Sequence, residues 1–256
     1  MMSISLKEME MKLKENDDVE KWLALLRKDE RKGAQKLLLS YERQLKREAL
    51  LEEMHQNMVR YESQARANGA SAIAGVDEVG RGPLAGPVVA SAVILPTNFK
   101  LLGLTDSKKL SKAKREEFAK RIKEEAIAYS VSMVHAAEID EINIYESTKK
   151  AMCQALALLD KHPDHVLVDA MTLPLEISQT SIIKGDQKSI SIAASSIIAK
   201  VARDQYMEEL GREYPHYGFA NNAGYGTKEH LHALKVHGVT IEHRKSFQPV
   251  ADLLVE

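Results

Sequence analysis

The chain has 256 residues, 44% apolar and 29% charged, enough to bury one large core or one medium core with a small satellite. Its 36 Lys and Arg against 37 Asp and Glu leave a net charge of −1, which excludes a whole-surface field for polyanions and requires local clusters or bound metal to hold them. The single cysteine, Cys153, excludes an internal disulfide and suits a reducing compartment, the cytoplasm by default; the mixed Lys/Glu start, Met1 to Glu20, is no leader peptide, and no run approaches the ~20 apolar residues of a membrane helix.

From Met1 to about Asn68 there is no proline and only one glycine, Gly33, while Leu, Met, Lys, Arg and Glu dominate. That composition predicts helices alone, hence a separate module over residues 1–68 ahead of a main domain over 69–256. Ser5 with Glu8, and Asp17 with Glu20, have the spacing of helix N-caps, and Trp22, Leu23, Leu25 and Leu26 make a short apolar face. Three helices are predicted, the last from about Ala34 to Arg66, where Leu37, Leu38, Tyr41, Leu45, Leu51, Met54, Met58 and Tyr61 recur at helical spacing. Between Arg27 and Arg47, Arg27, Lys28, Arg31, Lys32, Lys36, Arg43, Lys46 and Arg47 outnumber Asp29, Glu30 and Glu42, an excess suited to phosphates and hence to a duplex-binding module.

After Gly69, short β-branched runs separated by Gly, Pro and Asn alternate with longer helical patterns, which reads as α/β. Strands are predicted at 73–77, 88–95, 129–136, 165–169 and 181–184, and helices at 111–126, 143–160, 190–210 and 227–236. The first two strands must pair antiparallel, because about ten residues between them are too few for a helical crossover. The resulting sheet is mixed and flanked by helices.

Two acids, Asp77 and Glu78, end the run Ile73, Ala74, Gly75, Val76 just before a loop holding Gly80, Arg81 and Gly82. Neighbouring strand residues point to opposite faces, so both cannot enter the core, and two close anions repel unless a cation or proton intervenes. Asp169 closes 165–168 in the same way, and Asp186 follows 181–185. Strand ends on one edge of an α/β sheet are where sites form. If the strands are neighbours, the four carboxylates converge into oxygen ligands for two hard cations, Mg²⁺ or Mn²⁺, the arrangement for in-line attack on a phosphodiester. Competing sites are poorer. His216, His230, His232, His237 and His243 lack a paired zinc spacing, Arg81 and Gly82 stand where a P-loop needs Lys and Ser or Thr, and no Gly-x-Ser-x-Gly elbow occurs.

The run Asp77, Glu78, Val79, Gly80, Arg81, Gly82, Pro83, Leu84, Ala85, Gly86, Pro87 resembles the signature of type 2 ribonuclease H, the ribonuclease HII family. The likeness continues through Thr105 to Ser111, Val168 to Ala170, Lys184 to Asp186, Ala193 to Asp204 and Gly224 to Thr227, covering the chain from about residue 70. It implies a ribonuclease H-like fold, hydrolysis of RNA in RNA/DNA hybrids, and cutting 5′ to a single ribonucleotide in duplex DNA, leaving 3′-hydroxyl and 5′-phosphate ends. Asp77, Glu78, Asp169 and Asp186 then correspond to the metal-binding catalytic carboxylates. Gly80, Arg81 and Gly82 correspond to the loop whose backbone reads the ribose 2′-hydroxyl, and Tyr225 to a tyrosine that stacks on the following sugar. Lys108, Lys109, Lys184, Lys200 and Arg203 would line the phosphate track. Arg81 between glycines speaks against the sister ribonuclease HIII, whose extension contains a sheet.

Ala251, Asp252, Leu253 and Leu254 faintly resemble sliding-clamp peptides, and a monomer is expected because no heptad seam appears. Two other classes compete. A sugar-kinase-like phosphotransferase needs a duplicated fold for which the chain is too short, and a non-catalytic nucleic-acid-binding protein leaves four strand-end acids opposing its own affinity.

Overall fold

The computed structural model describes residues 4–15 and 18–254, which form two compact units, Met1–Met54 and His55–Glu256. In the first, α1 (Leu6–Glu15), α2 (Val19–Lys28) and the opening of α3 (Lys32–Met58) enclose Met9, Leu13, Trp22, Leu23, Leu26, Ala34 and Leu38. Ser5 caps α1, its Oγ accepting the Glu8 N–H at 3.2 Å. Asp17, predicted to cap the second helix, lies outside the described residues. Asp29 closes α2 and accepts from the Arg31 backbone and guanidinium, which also donates to the Ile4 carbonyl at 3.0 Å.

The second unit starts with the last turn of α3 and with α4 (Arg60–Ala67), so four N-terminal helices stand where three were predicted. The break at Val59 has a packing reason. Met58 and Val59 serve one apolar cluster, beside Leu95, Phe118 and Ile197, while Tyr61 and Ala65 serve another, beside Ile73, Leu167 and Ile192. Residues 55–68, helical by composition, thus pack with the sheet unit.

Its five strands run in the order β3-β2-β1-β4-β5, with β1 Ile73–Val79, β2 Val88–Ile94, β3 Ala128–Val134, β4 His165–Asp169 and β5 Ser178–Ile182. β1, β2 and β3 are antiparallel, as the short first connection requires, and β1, β4 and β5 are parallel. This is the mixed, helix-flanked sheet that the sequence pattern predicts. One face buries Ala74, Val76, Ala90 and Ala92 under α6 (Ala136–Ala157), whose Ile139, Met152 and Leu156 complete the core. The other carries α5 (Lys112–Glu125) and α7 (Ile190–Glu213). α7 is apolar or small on every side over its first half, as a helix buried all round must be. It lies against β1 so closely that a Cβ on Gly75 would stand 2.1 Å from the Ser191 carbonyl carbon. At its N-terminus the buried Glu62 accepts from Ser189 Oγ at 2.6 Å and the Ser191 N–H at 3.0 Å, an anion where the helix dipole favours one. A third cluster joins Leu84 and Ala85 to Met207, Tyr217, Phe219 of α8 (Phe219–Asn222), and Ala233 and Leu234 of α9 (Lys228–His237).

Two elements differ from expectation. β5 starts three residues before the predicted 181–184 strand and ends two residues before that strand's end, because Ile183 is 71% exposed and Lys184 takes φ 58°, which ends the strand. α6 begins seven residues before Asn143, where it kinks: Asn143 has φ 68°, and its Oδ1 accepts from the N–H groups of Tyr145 and Glu146, so it caps the second half.

Candidate active site

The parallel register pairs Val76 with Val168, so the next residues along, Asp77 and Asp169, leave adjacent strands at one edge. Ligand oxygens from Asp77, Glu78 and Asp169 lie within 4.8 Å of one another. Asp77 is buried; its N–H donates to Ser195 Oγ at 3.0 Å, and that hydroxyl donates to the Ser91 carbonyl at 2.6 Å, fixing the strand end against α7. Asp169 Oδ1 accepts the Gly185 N–H at 2.6 Å, which ties the loop carrying Asp186 to the cluster. Asp186 lies outside the tight triad, in a short 3₁₀ turn, where its charged neighbours are Asp106, Asp169, Lys108 and Lys109.

The electrostatics are those of anions held together without enough counter-charge. Burial, then the charges of Glu78 and Asp169, push the Asp77 carboxyl well above the usual carboxylate range. Burial also raises Glu78, against the lowering effect of Arg81, whose guanidinium stands 3.5 Å from it. Asp186 is raised by burial and by Asp106 and Asp169, less the effect of Lys108 and Lys109. Glu78 Oε2 is buried with no hydrogen-bond partner. A divalent cation is the ligand that would satisfy that oxygen and remove the repulsion in one step, so these residues fit such an ion.

Beside the acids lies the loop 80–87. Gly80 has φ 90° and no room for a side chain, since a Cβ would stand 2.2 Å from Arg203 Nε and 2.8 Å from the Pro87 carbonyl oxygen. Gly82 is exposed and open, with Tyr225 Cε1 the nearest atom at 3.7 Å from where its Cβ would be. Tyr225 is itself 49% exposed. Leu84 donates to the Gly224 carbonyl at 2.8 Å, so the glycine loop and the tyrosine segment share a backbone bond.

Two buried arginines hold these segments, and neither follows from the sequence reading. Arg203, expected along a phosphate track, is fully buried: it donates to the carbonyls of Pro87, Ala85 and Ala223 at 3.0, 3.2 and 3.0 Å. Its guanidinium is taken up by backbone carbonyls, so it holds residues 85–87 and 223 to α7 and does not lie along an exposed track. Arg244, from the far end of the chain, donates to the carbonyls of Arg81 at 2.8 Å, Gly80 at 2.5 Å and Gly86 at 2.8 Å. Beside them His230 and His243 meet through their Nε2 atoms at 3.0 Å. His243 Nδ1 accepts the Thr240 N–H at 2.9 Å, so its Nε2 carries the proton toward His230, whose Nδ1–H then donates to the Tyr225 carbonyl at 2.9 Å. A tail arginine and a histidine pair give no local signal of this; only the folded contacts do.

The remaining cations differ. Lys108, Lys109 and Lys184 are exposed near the acids' loops, whereas Lys200 is paired with Asp204 at 2.5 Å.

The Ribonuclease HII family model matches residues 74–250, and the Ribonuclease HII N-terminal domain model matches residues 5–66. A Ribonuclease HII of Shouchella clausii is 61% identical over 227 residues, 89% of this chain and 88% of its own. Among solved structures, the ribonuclease H2 of Pyrococcus horikoshii superposes with a TM-score of 0.63 at 28% identity, covering 72% of this chain and 97% of that one. The ribonuclease HII in a complex with PCNA from Archaeoglobus fulgidus gives 0.59 at 28% identity, over 70% and 96%.

Proposed function

The chain belongs to the ribonuclease HII family and is a ribonuclease H, and from that premise we propose that it cuts the RNA strand of RNA/DNA hybrids and incises duplex DNA 5′ to a single embedded ribonucleotide. The observation that carries this reading is the convergence of Asp77, Glu78 and Asp169 beside an open glycine loop and an exposed tyrosine. Bound Mg²⁺ or Mn²⁺, two ions during the reaction, would supply a water made nucleophilic at neutral pH and charge neutralisation at the leaving 3′ oxygen. Asp77, Glu78 and Asp169, with Asp186 at the margin, would hold them.

The chain's own groups do the rest. Gly80 and Gly82 let the backbone approach the ribose closely enough to bond its 2′-hydroxyl, the group that separates RNA from DNA. Arg81, exposed and only loosely paired with Glu78, donates to the phosphate at the cut. Tyr225 stacks on the sugar that follows, with its ring 3.7 Å from the Cβ position of Gly82. Lys108, Lys109 and Lys184 meet neighbouring phosphates, and Lys200 does so only by leaving Asp204. The products carry 3′-hydroxyl and 5′-phosphate ends. Such an enzyme removes ribonucleotides and RNA primers from DNA, in the cytoplasm, as a monomer.

A sliding-clamp contact by residues 251–254 is the lesser part of the proposal. Leu254 is exposed while Leu253 packs into the third cluster, so a clamp would have to draw Leu253 out. The test of the main reading is cleavage of an end-labelled DNA duplex with one ribonucleotide, in Mg²⁺, Mn²⁺ or chelator. A metal-dependent nick on the 5′ side of that ribonucleotide is expected. Cleavage of full hybrids without that nick would reduce the function to hybrid hydrolysis alone.

A further inference from the structure

Asp77, Glu78 and Asp169 belong to strands, whereas Asp186 stands on the turn Gly185–Gln187 between β5 and α7. Its place is set by what grips that turn at each end. At the front, the Gly185 N–H donates to Asp169 Oδ1 at 2.6 Å, and Ile192 Cδ1 stands 2.6 Å from where a Cβ on Gly185 would be. At the back, the N–H groups of Lys188 and Ser189 donate to the Gly185 carbonyl at 2.9 and 2.8 Å, so the turn runs without slack into the start of α7. Glu62 of α4 holds that start. Its Oε1 accepts from the Ser189 hydroxyl and from the Ser191 N–H, while the Ser189 oxygen accepts the Ile192 N–H at 3.2 Å. Glu62 is 6% exposed, and its Oε2 is buried with no hydrogen-bond partner among the described residues. A buried carboxylate left half satisfied stabilises a fold less than an apolar side chain of its volume. Nor is it needed to attach α4, because Tyr61 and Ala65 of that helix already pack beside Ile73, Leu167 and Ile192. What Glu62 supplies is direction: two donors on one oxygen fix where α7 begins.

We propose that Glu62 is a positioning residue for the metal centre, holding the start of α7 so that the 185–187 turn keeps the Asp186 carboxyl beside Asp169. The proposal rests on the reading that Asp186 helps to hold a divalent ion, and adds to it a residue that never touches the ion. Asp77 depends on the same helix start. A Cβ on Gly75, two residues before Asp77, would stand 2.1 Å from the Ser191 carbonyl carbon and 2.3 Å from the Ile192 nitrogen. Without Glu62 the N-terminal turn of α7 keeps only the Ser189 cap, and the Asp186 turn loses one of its two anchors. The ion is then held by three fixed carboxylates and one loose one, at lower affinity.

The experiment titrates the full chain with Mn²⁺ alone in a calorimeter, at a temperature where circular dichroism shows every variant folded. It compares wild type with Glu62→Leu, Glu62→Gln, Ser189→Ala and Asp186→Asn. A control, Leu156→Ala, truncates a buried side chain of α6, on the opposite face of the sheet from α7. Glu62→Leu is expected to bind Mn²⁺ about 10-fold more weakly. The metal concentration for half-maximal cleavage should rise by the same factor, with KM for the duplex at saturating metal unchanged. Glu62→Gln keeps an oxygen for both donors and should stay close to wild type. Ser189→Ala removes one of the two donors, should lose affinity in the same direction, and carries the test if Glu62→Leu does not fold. Wild-type affinity in Glu62→Leu and Ser189→Ala, with weakened binding in Asp186→Asn, overturns the proposal and leaves the reading of Asp186 standing. An equal loss in Leu156→Ala overturns it too, since affinity would then merely follow stability. Wild-type Mn²⁺ binding by Asp186→Asn removes Asp186 from the metal centre, and the proposal with it.

Discussion

Arg244 donates to the carbonyl of Arg81 at 2.8 Å across 163 positions of sequence, and its other guanidinium nitrogens reach Gly80 and Gly86. The planar fork thus sets the turn that displays Arg81 and Gly82. Replacing it with lysine keeps the charge and loses the fork. Arg244→Lys is expected to lower stability by about 2–4 kcal/mol, since buried carbonyls lose their donors. Its kcat/KM should fall about 10- to 100-fold, beyond what unfolding explains at a temperature where the variant is folded. Wild-type kcat/KM in a folded variant would show that the turn stands without the fork.

Gly80 and Gly82 differ in what a side chain there would meet. A methyl on Gly80 meets Arg203 and the Pro87 carbonyl and imposes a side chain at φ 90°, so Gly80→Ala should destabilise by about 2 kcal/mol or more. A methyl on Gly82 meets nothing nearer than 3.7 Å. Gly82→Ala should therefore melt within about 0.5 kcal/mol of wild type, yet bind a ribonucleotide-containing duplex at least 10-fold more weakly. Normal binding by Gly82→Ala would remove the loop backbone from 2′-hydroxyl recognition.

Asp77 costs stability in the metal-free protein. Its carboxyl is held well above the usual range, so the folded state binds its proton more tightly than the unfolded state, and stability falls as pH rises from the ordinary carboxylate value through the raised one. Asp77→Asn should raise the metal-free stability at pH 7.5 by about 1 kcal/mol, or about 2–4 °C in Tm, while abolishing cleavage. The gap should narrow toward pH 4. Added Mg²⁺ or Mn²⁺ should raise the wild-type Tm and leave the variant nearly unmoved.

The histidine pair predicts the opposite sign. Burial, with His230 adding to it, depresses the His243 imidazole to about 4, so the unfolded state binds its proton more tightly. The stability this pair contributes is whole above the ordinary histidine value of about 6.5 and is lost as pH falls from there to about 4. Urea titrations at pH 7 and pH 5 should show a smaller loss for His243→Asn than for wild type. An equal loss in both would place the acid sensitivity elsewhere.

The acids were legible because each is a punctuation mark: a carboxylate closing a β-branched run needs only local sequence to be seen, and the parallel register of β1 with β4 then joins Asp77 to Asp169. One cap was legible for the same reason: Ser5 accepts the N–H of Glu8, three residues ahead. β5 was displaced because its residues, Ser178 to Ser181, are polar in an edge strand, while the apolar Ile183 that drew the prediction sits in a turn. Arg203 was misplaced because a cation on a helix after an apolar stretch reads as surface. What buries it is the set of carbonyls from residues 85–87 and 223, loops over a hundred positions away or beyond the helix end. Arg244 and the His230–His243 contact were invisible for the same cause.

Gly75, two residues before the first carboxylate, leaves α7 with no freedom to stand further off, because the helix backbone occupies the volume a side chain would take. In a saturation library sorted first for soluble yield and then for cleavage, every substitution at Gly75 should vanish at the first gate, whereas those at Gly82 should survive it and vanish at the second. The two glycines would look alike in any screen that scored activity only, and the order of their disappearance is what distinguishes a residue that lets the chain fold from one that lets it read a sugar.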